Sequence, residues 1–211
     1  MKTSGKPRRD LLASLCPRHL SPIVDVGADH GHVAKAVGGI ATERMPGRMG
    51  RGDVPWIICD GLTAFRSVGV AIIAGMGART IAGILDAAPR PRQIIVHAQD
   101  DPPLLRSYLA NNGWQILREA LAPEAGRYSE VIVAHPGQET SSGLSLHYGP
   151  RLLKDGDPHL IDHLEQLCSH SADIARATKT NARAIYEREQ QRLDFLKNQL
   201  KYWTTDTMIE P

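Results

Sequence analysis

The sequence has few cysteines and lacks any hydrophobic run long enough to cross a membrane. Its three cysteines, Cys16, Cys59 and Cys168, are far apart and odd in number, which excludes a disulfide framework and a cysteine-based zinc site. No apolar run approaches the ~18 residues that a membrane helix needs. The polar start of the chain has no apolar stretch after its basic residues, unlike a secretory signal. We therefore expect a cytoplasmic protein with reduced thiols and no membrane partner.

The chain also has almost no excess charge. It carries 25 Lys and Arg against 23 Asp and Glu. Residues 1–150 hold 16 basic and 13 acidic side chains, and residues 151–211 hold 9 and 10. This distribution is not the strongly basic one of many nucleic-acid-binding proteins, so any RNA contact has to come from a few local residues. With 211 residues and 42% hydrophobic content, the chain is expected to form one domain with a modest appendage.

Short aliphatic runs alternate with helical patterns in the first 136 residues. Runs of this kind are typical of strands that are covered on both faces, and alternation with helices predicts a doubly wound α/β domain. The link from Arg44 to Pro55 is too short and too rich in Gly and Pro for a crossover helix, so we expect a loop or a single turn there. The predicted strands are Ile23–Gly27, Gly39–Glu43, Trp56–Asp60, Val70–Ala74, Gln93–Val96, and a final antiparallel pair, Trp114–Leu117 and Ser129–Ala134.

The pattern changes after the Gly- and Ser-rich stretch 137–143. Two apolar seams with a spacing of about 3.5 residues follow, which predicts an antiparallel coiled-coil hairpin. We therefore expect an α/β domain over 1–140 and a C-terminal helical hairpin over 141–211. The first seam contains Leu160, Leu164, Leu167, Ser171, Ile174 and Thr178, and the second contains Tyr186, Glu189, Leu193, Leu196, Leu200 and Trp203.

A glycine-containing turn, Asp25-Val26-Gly27-Ala28-Asp29-His30-Gly31, joins the first predicted strand to a helix. Glycine allows the backbone to turn sharply and to approach a ligand closely. The spacing is not G-x-G-x-x-G, and the acidic Asp29 suits an ammonium group better than a pyrophosphate. The turn therefore favours S-adenosylmethionine over NAD, although any strand-to-helix turn in such a sheet tends to use Gly and Asp.

Acidic residues and glycines also end the next strands. Glu43 ends the second strand, where a carboxylate can accept hydrogen bonds from ribose hydroxyls. Asp60 and Gly61 end the third strand, and Ala74-Gly75-Met76-Gly77 ends the fourth. Each acid alone could be a solvated loop carboxylate, and each glycine a tight connection. Together they lie at the carboxyl edge of one sheet, where ligands of open α/β sheets bind.

These motifs together resemble the bacterial tRNA adenine-N1 methyltransferases of the TrmK type, which modify adenine 22. The resemblance covers about Arg9 to Leu200. It rests on the two turns already described and on three further stretches, which are Asn112-Gly113-Trp114, Arg127-Tyr128-Ser129-Glu130-Val131-Ile132-Val133 and Tyr148-Gly149-Pro150-Arg151-Leu152-Leu153.

The resemblance implies a Rossmann-like class I methyltransferase sheet, with a C-terminal coiled coil that helps to hold tRNA. It places the methionine end of the cofactor near Asp25, Gly27 and Asp29, the ribose near Glu43 and the adenine near Asp60. The segment after Glu43 is shorter than the second helix of the family, so the wall beside the adenosyl group is altered. The full predicted cofactor set is Asp25, Gly27, Asp29, His30, Glu43, Asp60, Gly61, Ala74, Gly75 and Met76.

The segment after the fifth strand departs from the Gln-Pro-Asn of the family and contains Gln99 and Asp100 instead. A group in this position could accept a hydrogen bond from the adenine N6 amino group. The candidates are the side chains of Gln99, Asp100 and Asp101 and a backbone carbonyl of Gly75-Met76, and we favour Gln99 or Asp100. His30 is predicted to position the cofactor carboxylate or to cap the turn, because neutral adenine N1 has no proton to remove.

Two groups of basic residues are candidates for RNA contacts, and the first of them could equally be solvated. Arg44, Arg48 and Arg51 lie in the shortened loop, and Arg176, Lys179 and Arg183 lie at the hairpin bend. Three histidines on one predicted helix are spaced four and seven residues apart, a spacing that could hold a metal ion. They are His159, His163 and His170. Without a carboxylate-His motif beside them, we expect a solvated surface and no metal.

The sequence thus predicts a tRNA methyltransferase that is a monomer or a weak dimer. The alternative is a non-catalytic RNA-binding or scaffolding protein that descends from such an enzyme. A nucleotide-dependent oxidoreductase is disfavoured by the glycine spacing.

Overall fold

The aliphatic runs of the sequence form seven strands in the computed structural model, which describes residues 5–50 and 53–206. All seven belong to one sheet. They are β1 (Ile23–Val26), β2 (Ile40–Glu43), β3 (Trp56–Ile58), β4 (Val70–Met76), β5 (Gln93–Ala98), β6 (Trp114–Glu124) and β7 (Arg127–Pro136).

The strand order is β3-β2-β1-β4-β5-β7-β6. The first five strands along this order are parallel to one another, and β7 is antiparallel to both β5 and β6. The predicted final antiparallel pair is therefore confirmed. The tight turn between β6 and β7 contains Ala125 and Gly126, both with positive φ, which matches the twist of a two-residue hairpin.

Eight helices accompany the strands in the described residues. They are α1 (Lys6–Ser14), α2 (His32–Val37), α3 (Ala78–Asp86), α4 (Pro102–Asn111), α5 (Gly143–Tyr148), α6 (Pro150–Asp155), α7 (Leu160–Thr178) and α8 (Arg183–Asp206).

The alternation of side chains along the strands divides the core between the two faces of the sheet. Residues such as Ile72 and Ile95 pack in one cluster with Leu12 of α1 and Val33 and Val37 of α2. Their neighbours, including Ile73, Ile94 and Val96, pack in the other cluster with buried residues of α3 and α4. Both faces are covered, as the predicted doubly wound α/β class requires.

The link between β2 and β3 contains only a short 3-10 turn, Pro46–Arg48, among its described residues. The predicted loop or single turn is therefore confirmed. The segment between β3 and β4 consists of turns as well, with no regular helix from Cys59 to Gly69. The carboxyl ends of β2 and β3 are thus bordered by loops.

The chain divides into two compact units, one ending at Leu152 and the other beginning at Leu153, whereas the sequence places the boundary at residue 140. The stretch after residue 140 packs onto the α/β unit, with Tyr148 and Leu152 buried. Arg151 fixes this stretch, because its Nε donates to the Ile116 carbonyl at 2.8 Å and its guanidinium lies 3.1 Å from Glu139. The observed boundary therefore falls later than the predicted one.

The second unit contains α7 and α8, which pack against each other as a helical hairpin. Leu160, Leu164 and Ser171 of the first predicted seam are buried, as are Glu189, Leu193 and Leu196 of the second. His163 is buried too, contrary to the expected solvated surface, because it lies beside Leu164 on the face that packs. No described helix combines the length and hydropathy of a membrane span.

Candidate functional site

A cavity of about 560 Å³ lies at the carboxyl ends of the parallel strands. Residues from β1, β2 and β4, from the loops after β1, β2 and β3 and from α3 line it, as expected for the ligand-binding edge of an open α/β sheet. Eight of the ten predicted cofactor residues are brought together there, namely Gly27, Asp29, Glu43, Asp60, Gly61, Ala74, Gly75 and Met76.

The turn after β1 is shaped by close backbone approach. Gly27 has a φ of +63°, and a Cβ atom on it would lie 2.3 Å from the Met76 methyl group. Asp29 also has a positive φ of 51°, which Asp tolerates better than most residues. The Asp29 carbonyl accepts a hydrogen bond from the Gly50 N–H at 3.1 Å, so the loop after β2 returns to this turn.

The Gly-Met-Gly turn, which begins at the end of β4, leaves backbone open to the cavity. Gly75 has a φ of +74°, and a Cβ atom added to it would meet no atom within 4 Å. Its N–H donates to Nδ1 of the buried His97 at 3.3 Å. Burial, followed by the charge of Arg8, lowers the pKa of His97 to about 4. The imidazole is therefore neutral at physiological pH and fixed as a hydrogen-bond acceptor for this turn.

The acidic side chains after β2 and β3 differ in how they are held. Glu43 Oε1 accepts hydrogen bonds from the Arg44 N–H at 2.9 Å and the Met45 N–H at 3.3 Å, which fixes the carboxylate at the mouth of the loop. Asp60 is exposed. The next residue, Gly61, has a positive φ, and its Cβ would lie 2.9 Å from Ile84, so the third strand end and α3 approach closely.

Two predicted cofactor residues do not line the cavity. Asp25 is buried, because its side chain alternates with those of Val24 and Val26 and lies beneath α2, where it accepts from the Ala34 N–H at 3.0 Å. Burial raises the pKa of Asp25 to about 7. His30 is largely exposed, and its Nε2 lies 3.6 Å from Asp29. Asp25 thus holds the start of α2, and His30 faces solvent rather than the cavity.

A smaller cavity of about 160 Å³ lies between the end of β5 and the start of β7. Gln99 and Asp100, the predicted base contacts, line it together with His97 and residues Arg127–Glu130. Asp100 Oδ1 accepts from the Ala78 N–H at 2.8 Å and the Asp101 N–H at 2.7 Å. The Ala78 hydrogen bond is the main cause that lowers the pKa of Asp100. Asp100 is therefore engaged at the start of α3, whereas the Gln99 side chain is exposed.

Five lining residues were not predicted. Thr80 and Ile84 lie four residues apart on α3, so they share one face of that helix. Their spacing is visible in the sequence, but which helix face borders the cavity depends on how α3 packs. The five residues are Val26, Thr42, Cys59, Thr80 and Ile84.

The candidate RNA contacts lie in two places. Arg44 and Arg48 line the larger cavity, and Arg51 lies outside the described residues. At the hairpin bend, Arg176 pairs with Asp173 at 3.0 Å and Arg183 with Glu187 at 2.7 Å, both on the exposed surface. Lys179 is exposed between them in the sequence. Neighbouring carboxylates thus partly neutralise this second group.

No cluster of three or more His, Cys, Asp or Glu side chains that could hold a metal ion occurs in the part of the chain that the structure describes. The histidines at 159, 163 and 170 form no such cluster.

Comparison with known proteins gives one family match and several similar structures. The model of the TrmK family, tRNA (adenine(22)-N(1))-methyltransferase, matches residues 50–203. No curated protein sequence matches the chain significantly.

Similar solved structures share the fold over almost their whole length. Sp1610 of Streptococcus pneumoniae, described as a candidate tRNA (m1A22) methyltransferase, is 24% identical with a TM-score of 0.79, and the match covers 92% of this chain and 98% of that one. TrmK of Bacillus subtilis, an M1A22 tRNA methyltransferase, is 19% identical with a TM-score of 0.71, over 92% and 97%. TrmK of M. capricolum, solved with S-adenosyl-homocysteine, is 18% identical with a TM-score of 0.75, over 95% and 99%.

Proposed function

Because the chain belongs to the TrmK family of tRNA (adenine(22)-N(1))-methyltransferases, we propose that it transfers a methyl group from S-adenosylmethionine to N1 of adenine 22 in tRNA. The family match carries this proposal. The larger cavity supports it, because its position, size and lining suit an adenosyl amino acid.

The cavity residues fit the cofactor in chemistry as well as in position. Glu43 keeps its second carboxylate oxygen for ribose hydroxyls, while Oε1 is held by two backbone N–H groups. Asp60 would accept a hydrogen bond from the adenine amino group, and Asp29 would face the ammonium group of the methionine end. The open backbone at Gly75 leaves space where the methyl donor and its acceptor have to meet.

In this reaction the protein has to orient the reactants and exclude water, rather than supply a nucleophile. When bound, the sulfonium cofactor supplies an already activated methyl group. Adenine N1 has a lone pair and no proton, so no residue needs to act as a general base there. The protein has to hold N1 in line with the methyl group and to accept a base turned out of the RNA stack, which costs a few kcal/mol.

Gln99 is the residue that we assign to the target base. Its backbone N–H donates to the Met76 carbonyl at 3.0 Å, so Gln99 of the smaller cavity is joined directly to Met76 of the larger one. Its side-chain carbonyl oxygen can accept a hydrogen bond from the adenine N6 amino group. Asp100 acts as a positioning residue, because its carboxylate holds the start of α3 next to Gly77.

RNA binding is proposed to use Arg44 and three exposed basic side chains at the bend between α7 and α8. These are Arg176, Lys179 and Arg183. Arg176 and Arg183 already have carboxylate partners, so each phosphate contact has to compete with an intramolecular pair. We therefore expect a modest electrostatic contribution and a correspondingly shallow dependence of tRNA affinity on salt.

The test compares two transcripts of one tRNA, with A or G at position 22. The purified full chain is incubated with each transcript and S-adenosylmethionine, and the nucleosides are analysed by mass spectrometry. We expect 1-methyladenosine only from the A22 transcript, and at least a tenfold lower rate for Gln99→Ala. Equal methylation of both transcripts would contradict the assigned position, and tRNA binding without any methylation would support the scaffold alternative.

A further inference from the structure

Arg48 is one of two arginines that line the larger cavity, which is the proposed cofactor site. The cavity lining contains three acidic residues, Asp29, Glu43 and Asp60, and two arginines, Arg44 and Arg48. Within residues 5–50 and 53–206, no salt bridge or side-chain hydrogen bond to the Arg48 guanidinium is observed. An unpaired cation that borders a cavity lined with acids is available to an anionic group of a ligand.

The loop that carries Arg48 is anchored at the glycine turn. Two residues after Arg48, the Gly50 N–H donates to the Asp29 carbonyl at 3.1 Å. A Cβ atom on Gly50 would lie 2.8 Å from the His30 Cα atom, so the two backbones touch. The 3-10 turn Pro46–Arg48 shortens the path between Glu43 and this anchor. Along the loop, Arg48 is therefore nearer to the anchor at Asp29, and Arg44 is nearer to Glu43.

We propose that Arg48 binds the carboxylate of the amino acid end of S-adenosylmethionine, and so serves the cofactor rather than RNA. This inference rests on the proposed function, because it concerns the same cavity. The methionine end carries an ammonium group and a carboxylate, which need partners of opposite sign. Asp29 supplies the carboxylate partner for the ammonium group, and Arg48 supplies a donor pair for the carboxylate, in the geometry that guanidinium groups favour.

Three other groups near this end of the cavity are already used or lie elsewhere. His30 is outside the cavity lining and faces Asp29 at the surface. The Ala34 N–H, in the first turn of α2, donates to Asp25, and the Gly31 N–H donates to the Ala28 carbonyl. With only six residues, α2 has a small dipole. Arg48 is thus the cation best placed for the carboxylate.

The experiment uses two ligands that differ only in the amino acid end. S-adenosylhomocysteine carries the ammonium and carboxylate groups, and 5′-methylthioadenosine lacks both. Calorimetry measures the affinity of each ligand for the wild-type chain, for Arg48→Gln and for the matched control Arg44→Gln, which lies on the same loop. We expect Arg48→Gln to weaken S-adenosylhomocysteine binding by about 10- to 100-fold, with less than a twofold change for 5′-methylthioadenosine. Arg44→Gln should change both affinities by the same factor.

The outcomes separate this inference from the proposed function. If the wild type binds S-adenosylhomocysteine and Arg48→Gln weakens both ligands equally or neither, the Arg48 assignment is wrong while the proposed function stands. If the wild type binds neither ligand, the proposed function fails and the assignment with it. Filter binding of tRNA provides a second readout. Unchanged tRNA affinity of Arg48→Gln supports the cofactor role, whereas weaker tRNA binding with unchanged S-adenosylhomocysteine binding overturns it.

Discussion

Two groups of charged residues in the α/β unit differ in their burial and in their ion pairs. In the first, Arg106 is fully buried and contacts Glu119 at 2.6 Å and Glu130 at 2.5 Å. In the second, Asp60 and Arg48 are exposed at the larger cavity, the proposed cofactor site, and no ion pair to either is observed in the residues that the structure describes. The contrast separates charges that hold the fold from charges that are exposed to solvent at the cavity.

The buried group needs its pairs because the interior does not solvate charge. Burial by itself would lower the pKa of Arg106, but the charges of Glu119 and Glu130 outweigh burial and raise it. The guanidinium also donates to the His147 carbonyl at 3.1 Å. Glu119 in turn accepts from the Arg151 N–H at 2.8 Å. The cluster therefore ties α4, β6 and β7 to the start of α6, and no member is free for a substrate.

The largest effect on stability is expected when Arg106, the cation of the buried group, is replaced. Arg106→Met keeps most of the side-chain volume but leaves two carboxylates in the interior without their partner. We expect the free energy of unfolding to fall by about 3–5 kcal/mol, measured by urea denaturation followed by circular dichroism. The triple variant with Glu119→Gln and Glu130→Gln removes the two stranded charges and should recover part of that loss. A loss below about 1 kcal/mol for the single variant would show that the cluster behaves like a surface pair.

Asp25 provides the next largest expected effect, and it depends on pH. Its pKa is raised to about 7 in the folded chain from an ordinary value of 3.8. The unfolded chain therefore releases this proton between about pH 4 and 7 while the folded chain keeps it, so stability decreases as the pH rises through that window. Asp25→Asn keeps an oxygen acceptor for the Ala34 N–H and abolishes the titration.

We expect the free energy of unfolding of Asp25→Asn to exceed that of the wild type by an amount that grows between pH 4 and 8, up to roughly 4 kcal/mol. Urea denaturation at several pH values measures this difference. His97 acts in the opposite direction, because its pKa is lowered to about 4 and stability is lost as the pH falls below about 6.5. His97 is present in both proteins, so its effect cancels in the difference. A difference that stays constant with pH would show that Asp25 ionises normally when folded.

Much of the fold could be predicted because it depends on local patterns. Every predicted strand is found, and the predicted family is confirmed by the match over residues 50–203. The alternation within β1 also contained a signal that was missed. Asp25 lies between Val24 and Val26, so its side chain has to point to the other face of the sheet, toward α2, and not to the cavity that Val26 lines.

Pairing of charges could not be predicted, because it joins residues that are far apart in the sequence. Nothing near Asp100 in the chain indicates that its carboxylate accepts from the Ala78 N–H, twenty-two positions earlier. Arg106 likewise meets Glu119 and Glu130 only after α4 has packed against the β6–β7 pair. From the sequence alone, a charged residue could therefore belong to the buried, paired group or to the exposed group at the cavity. Its contacts in three dimensions determine to which group it belongs.

The smallest expected effect distinguishes the second group from the first. Asp60→Asn removes a charge that faces the cavity and has no ion pair among the described residues. We expect the affinity for S-adenosylmethionine to fall about tenfold, or about 1.4 kcal/mol, measured by calorimetry. Because the side chain is exposed, the free energy of unfolding should change by less than about 0.5 kcal/mol. Glu119→Gln is the matched control, since it neutralises a carboxylate of the buried group and should lower stability instead. If Asp60→Asn destabilises the chain as much as Glu119→Gln does, Asp60 holds the fold and the contrast between the two groups fails.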